Sequence, residues 1–284
     1  MPRRILPPRR ALAAVAALAM GMTLVACRAS PSGAPTTGAT PATEPAPVGA
    51  TEGAECERIA IDVPDRFVQD ATQCMPAAAA MAASALGVAQ TPRDIARTIR
   101  MHPDGAHFFD IENALRDAGL GAATTVASLE HVAVAVDRGL VPILAIRRGA
   151  ERHVVIVTAF EQCPEDDAVT VTWIDPLDGL DHRAPSLDLQ ARRSADQVLF
   201  VAPPGTAVFD DWPLPGAAEL RSTHARFRAE TLYRRAMEHD GATDSALRLV
   251  LRANAEDPCW MPPHDWTYRH RPGDVADLAP CPGY

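Results

Sequence analysis

Gln69–Gly87 reads QDATQCMPAAAAMAASALG. From Met75 to Leu86 the chain is mostly Ala and Met, strong helix formers, and Pro76 stands where its missing N–H costs nothing. The stretch predicts a helix that begins at Cys74. A helix start gathers unpaired N–H groups and roughly half a positive charge, and both favour a thiolate over a thiol. Cys74 is therefore either the small apolar first residue of a core helix or a nucleophile presented at the mouth of one.

Three further helices follow from capping signals. Thr91-Pro92-Arg93-Asp94 opens one that continues through Ile95 and Ile99, a second runs from about Phe109 to Ala118 and stops at Gly119, and Ser128 caps a third that ends at Gly139. The period then changes. VPILAIR, HVVIVTAF, AVTVTWID and QVLFVA are short, β-branched and separated by turn-rich pieces, as strands of a mixed or antiparallel sheet are. Helices first and strands afterwards predict an α+β domain over residues 56–204. Residues 205–284 add a small C-terminal appendage, a helical hairpin at about Ala217–Glu238 and Thr243–Ala255 and a tail containing Pro and Trp.

A helix-terminal thiolate needs a base. His153 opens HVVIVTAF, where alternation sets Val155, Val157 and Ala159 on its face of the strand. Asp175 closes the next strand just before Pro176, so two neighbouring strands can bring a carboxylate to the far imidazole nitrogen and fix its tautomer. Gln69, in the loop entering the helix, can aim its amide NH2 at the oxyanion that the Cys74 backbone N–H would also hold, with Gln73 as the competing residue. Taken singly, each residue has a plainer reading: a buried thiol, a sheet histidine, a turn aspartate. Their order and context favour a catalytic site.

At these residues the chain resembles the papain-like cysteine peptidases related to the double-glycine leader peptidases, over roughly Val63–Ala202. The motifs are Gln69 with Gln73-Cys74, the Pro76-Ala77-Ala78 helix start, His153 in RHVVIVTAF, and Asp175-Pro176 in WIDPLDG. A stand-alone bacterial lipoprotein branch of that family looks closer still. The resemblance implies a papain-like fold and a thiol peptidase that forms an acyl-enzyme. Cys74 would be the nucleophile, His153 the general base and acid, Asp175 its orienter and Gln69 the oxyanion donor. Where the family commonly has glycine after the nucleophile this chain has Met75, whose side chain could narrow the approach to the sulfur. That departure keeps two alternatives open, a catalytically weak or inactive peptide-binding domain and an amidase acting on a non-protein or cell-wall substrate.

The front end reads as export. Arg3, Arg4, Arg9 and Arg10 precede an apolar run from Ala11 to Ala26, so residues 1–26 form a signal peptide, and Leu24-Val25-Ala26-Cys27 resembles a lipobox with Cys27 as the lipid-attachment residue. Residues 27–55, dominated by Ala, Pro, Thr and Gly, are predicted to be a disordered tether reaching roughly 30 Å. The protein is thus expected on the periplasmic or cell-surface side of a bacterial membrane, held there by its N-terminal lipid. Losing the four signal arginines takes the formal charge from −9 to −13, and with so little positive charge nucleic acid is not an expected partner. A peptide or protein substrate is.

Of six cysteines, five remain once Cys27 carries lipid, and an oxidising compartment then leaves one thiol free. Cys74 is the natural free one. Cys56 with Cys163 and Cys259 with Cys281 are the favoured pairs among the three pairings four cysteines allow. DPLDGLDH, from Asp175 to His182, lacks the full ligand spacing of a calcium loop, and no metal or other cofactor is expected.

Overall fold

The computed structural model describes residues 55–70, 73–102, 105–164, 168–209, 216–238 and 244–259. Cys27 and Cys281, together with the signal peptide and nearly all of the tether and tail, lie outside them. The helices are α1 (Cys74–Ala85), α2 (Pro92–Thr98), α3 (Phe108–Asp117), α4 (Leu129–Asp137), α5 (Ser186–Arg192), α6 (Ala217–Met237) and α7 (Asp244–Glu256). The strands are β1 (Glu57–Ala60), β2 (Leu120–Val126), β3 (Val141–Arg148), β4 (Glu151–Gln162), β5 (Thr170–Asp175), β6 (Leu180–Pro185) and β7 (Arg193–Pro204). All seven strands join one sheet, in the order β2-β7-β3-β4-β5-β6, with β1 paired to the far part of β4. Every described pairing is antiparallel. The chain is an α+β fold with a helical C-terminal part.

α1 is buried on every side from Met75 to Ser84, as a helix apolar around its whole circumference must be. It lies between the sheet strands β3 and β4 and the helices α2 and α3. Alanine brings those layers close together, and Met81, wholly buried, fills the space that remains. On the same face of the sheet stand Ile143, Val154, Ile156, Ile174, Leu199 and Val201. The opposite face carries Leu144, Val155, Val157, Trp173, Val198 and Phe200 beneath α4 and α5.

A one-residue bulge between Val157 and Ala159 corrects the simple alternation expected along β4. It leaves Thr158 unpaired against β5, so Phe160 rather than Ala159 joins Val155 and Val157 in the second cluster. The hairpin β5–β6 accounts for DPLDGLDH: Asp175 pairs with Leu180 across a turn whose Gly179 has φ 69°. β1 continues into a disulfide between Cys56 and Cys163, at the end of its ladder with β4.

β2 was not apparent in the sequence as a strand. It lies at one sheet edge, where Thr124 gives its backbone N–H to Glu112 Oε2 (2.9 Å) and its carbonyl accepts from His224 Nδ1 (2.8 Å), so side chains of α3 and α6 take the place of a neighbouring strand. Gly121 allows the chain after β7 to cross this strand. A Cβ there would stand 2.3 Å from the Thr206 carbonyl oxygen, so Gly121→Ala is expected to cost about 1–3 kcal/mol. An unchanged denaturation midpoint would show that the crossing has slack.

Candidate active site

The strands β3, β4 and β5 present His153, Asp175 and their neighbours along one end of the sheet. β4 begins there and β5 finishes there, which brings residues 22 apart in sequence into contact: His153 Nε2 lies 2.6 Å from Asp175 Oδ1. Both side chains are largely enclosed, 7% and 12% exposed. The same carboxylate oxygen accepts from the Leu177 N–H at 2.8 Å, an Asx turn at the Asp-Pro corner. Asp175 is thus both a turn former and the imidazole's partner.

Cys74 is the first residue of α1, partly buried and with a free thiol. Gln73, before it, makes no side-chain cap, and the first turn holds no acidic residue, so the positive end of the helix faces the sulfur without a competing anion. With Nε2 held by Asp175, Nδ1 is the imidazole nitrogen left for Cys74, whose side chain interacts with the ring closely enough to raise its pKa. Burial pulls the imidazole pKa down, but the hydrogen bonds and charges of Asp175 and Cys74 outweigh it and push the value up to about 9. Asp175 is likewise opposed by burial, yet its bonds to His153 and the Leu177 N–H hold its carboxyl below the ordinary 3.8.

Gln69 is carried by a loop latched at both ends. Ser84 Oγ donates to Asp65 Oδ2 (2.8 Å) while the Asp65 N–H donates to Ser84 Oγ (3.1 Å), and further along the Gln69 N–H donates to the Pro176 carbonyl (2.7 Å). The loop before the helix is therefore tied directly to the corner that carries Asp175. Met75 is 5% exposed and packs in the first core cluster, where it fills space beneath the site. Sequence reasoning missed Leu177 as the second anchor of Asp175, although the Asp-Pro-Leu corner is an Asx-turn signal.

Among the described residues, the His, Cys, Asp and Glu atoms that cluster as metal ligands would are those of Cys56, Glu161 and Cys163. The two sulfurs are bonded to each other, and Glu161 already meets Arg183 at 2.6 Å. Cys259 is also disulfide-bonded, while Cys281, its expected partner, lies outside the described residues.

Solved structures similar to this chain include peptidase domains. One is the peptidase domain of Streptococcus ComA, a bifunctional ABC transporter of a quorum-sensing pathway, at 17% identity and a TM-score of 0.40, covering 49% of this chain and 97% of that one. Another is a double-glycine motif protease from an AMS/PCAT transporter, in complex with its leader peptide, at 19% identity and a TM-score of 0.40, covering 54% and 96%. The peptidase domain of Streptococcus mutans ComA has 15% identity and a TM-score of 0.34, covering 49% and 98%. No family model and no curated protein sequence matches the chain.

Proposed function

We propose that the protein is a thiol peptidase that hydrolyses a peptide bond through an acyl-enzyme on Cys74, working outside the cytoplasm on a lipid anchor at Cys27. The single observation that carries the chemistry is the chain of contacts from the Cys74 sulfur through the His153 ring to Asp175.

In this reading the thiolate form of Cys74 is the attacking species beside a protonated His153, with Asp175 ionised behind them. The sulfur adds to the substrate carbonyl, and the oxyanion is held by the Cys74 backbone N–H and the Gln69 amide. His153 gives its proton to the departing amine, leaving a thioester. It then takes a proton from water, which attacks the thioester, and keeps that proton as the sulfur departs as thiolate and the acid product is released, which restores the starting state. The buried position of Met75 in the core gives no support to a binding-only role.

The test is the rate of Cys74 alkylation by iodoacetamide together with hydrolysis of fluorogenic peptides, one of them carrying a double-glycine segment. Cys74 is expected to react at neutral pH at least about tenfold faster than a model thiol, whose pKa is about 8.5. Hydrolysis should decline on the alkaline side with a midpoint near 9, where His153 loses its proton. The His153 contribution to stability is complete below 6.5 and lost as pH rises through about 9, and that of Asp175 is complete above 3.8 and lost as pH falls through its lower folded value. Model-thiol reactivity at Cys74 and no cleavage of any peptide would end the proposal.

A further inference from the structure

Along the same end of the sheet, on the far side of β3 from His153, a cavity of about 310 Å³ opens between the β2–α4 junction, β7 and the start of α6. Arg193 lines it. Its side chain is 3% exposed, and its Nε is buried without a hydrogen-bond partner. The remaining guanidinium nitrogens donate to the Ala127 carbonyl at 2.7 Å and, at 3.4 Å, to Gln190 Oε1. The one carboxylate described near the charge is that of Asp196, 3.9 Å away and 72% exposed. A buried guanidinium with so little compensation calls for an anion.

A second donor set meets it. α6 starts at this cavity, which Gly216 and Glu219 line; its N-cap is Gly216, with φ 70°, and among the described residues no side chain caps the first N–H groups of this 21-residue helix. A Cβ on Gly216 would come within 3.8 Å of His131 Nε2, which shows how closely the starts of α4 and α6 converge. The start of α4 is already satisfied, since Ser128 caps it with His131 in a capping box. Asp196 and Glu219 stand at the rim and oppose an anion.

We propose that this cavity is a carboxylate-binding subsite for the peptide substrate, with Arg193 and the start of α6 as its donors. The proposal rests on the peptidase reading for the identity of the ligand, not for the existence of the site. In the sheet register Arg193 stands opposite Ile146, and Ile146 opposite His153. Two strand spacings separate Arg193 from His153, roughly 10 Å. An extended peptide rises about 3.3 Å per residue, so the carboxylate belongs about three residues from the scissile bond. An acidic side chain or the peptide's own C-terminus could supply it. Burial lowers the Arg193 pKa and Asp196 offsets this only in part, which agrees with a charge awaiting a partner.

The site is tested by titrating the 15N-labelled full chain with sodium acetate at constant ionic strength. The Arg193 Nε–H and the amides of Ala217–Glu219 are expected to shift together and saturably, and Arg193→Gln should abolish saturation. Because Arg193 is buried, Glu219→Gln provides a variant that leaves the fold alone: removing the rim charge should tighten acetate about threefold. Linear, unsaturating drift, or an affinity unchanged by Glu219→Gln, would overturn the site.

The ligand is tested by kcat/KM for peptides with an internal Glu, with a free C-terminus, or with neither. Arg193→Gln should lower it about tenfold more for whichever peptide uses the pocket than for the neutral, amidated peptide. Equal loss on all three would overturn the substrate assignment. If the wild-type chain cleaves no peptide, the peptidase reading falls, and the acetate titration still decides the pocket.

Discussion

Replacement of His153 by Ala is expected to lower peptide hydrolysis roughly 10⁴-fold or more, because in the proposed mechanism the imidazole is the proton donor to the leaving amine and then the base for the attacking water. Cys74→Ala should lower turnover by a similar or larger factor. Adding the second substitution to the first should cost little more, since residues that act as one unit lose their contributions together. Asp175→Asn is the informative intermediate. Its carboxylate oxygen lies 2.6 Å from Nε2 and is fixed by the Leu177 N–H. An amide keeps the shape but not the charge, so a loss of about 10²-fold is expected, along with a downward shift of the alkaline limb from about 9. Initial-rate kinetics across pH, with circular dichroism to show that each variant is folded, make the measurement. Full activity of a folded His153→Ala chain would remove the triad from the chemistry.

Glu112→Ala should cause the largest loss of stability, about 3–5 kcal/mol. The carboxylate is wholly buried, and it accepts from the Thr124 N–H at 2.9 Å and from Arg228 at 2.6 Å. Arg116 and His224 approach it at 3.6 and 3.7 Å. Without it Arg228, 6% exposed, keeps Glu256 at 2.9 Å and Asn113 at 3.2 Å, and the edge of β2 loses a backbone acceptor. Nearby, Asp110 binds Arg235 at 2.5 Å, and both arginines stand over the Phe109 ring. This cluster fastens the helical hairpin α6–α7 to α3 and β2, so the C-terminal helices share a buried interface with the sheet domain. Replacing Glu112 and Arg228 together by Leu and Met should cost less than the sum of the single changes, because neither charge is then stranded. Urea denaturation followed by circular dichroism measures this. A loss under about 1 kcal/mol for Glu112→Ala would mean that water or another donor already replaces the carboxylate.

Much of the fold is legible in the sequence. The alanine run could only be a helix, and its lack of a polar face required burial on all sides. The runs that became β3, β4, β5 and β7 announced themselves by β-branched residues in short blocks. β2 and β6 did not: LGAATTV is made mostly of small residues without clear alternation, and LDHRAP is mostly exposed. β2 counts as buried because side chains remote in sequence cover its edge, and no local pattern records that. β1 is held by its ladder to β4 and by the disulfide, again a pairing across more than a hundred residues. The bulge at Thr158 likewise follows from how β5 fits against β4, so strict alternation misplaced Ala159.

The site divides in the same way. Cys74 at a helix mouth, His153 at a strand start and Asp175 at an Asp-Pro corner are local facts, because capping, strand propensity and turn chemistry act over a few residues. Sequence alone determined those three environments. Whether sulfur, ring and carboxylate meet depends on the order of strands and on which end of the sheet they share, which is set by packing across the whole domain. Tertiary structure decided that, as it decided the Arg193 cavity and the Glu112 cluster, since contacts between distant segments form only when the core brings their backbones together.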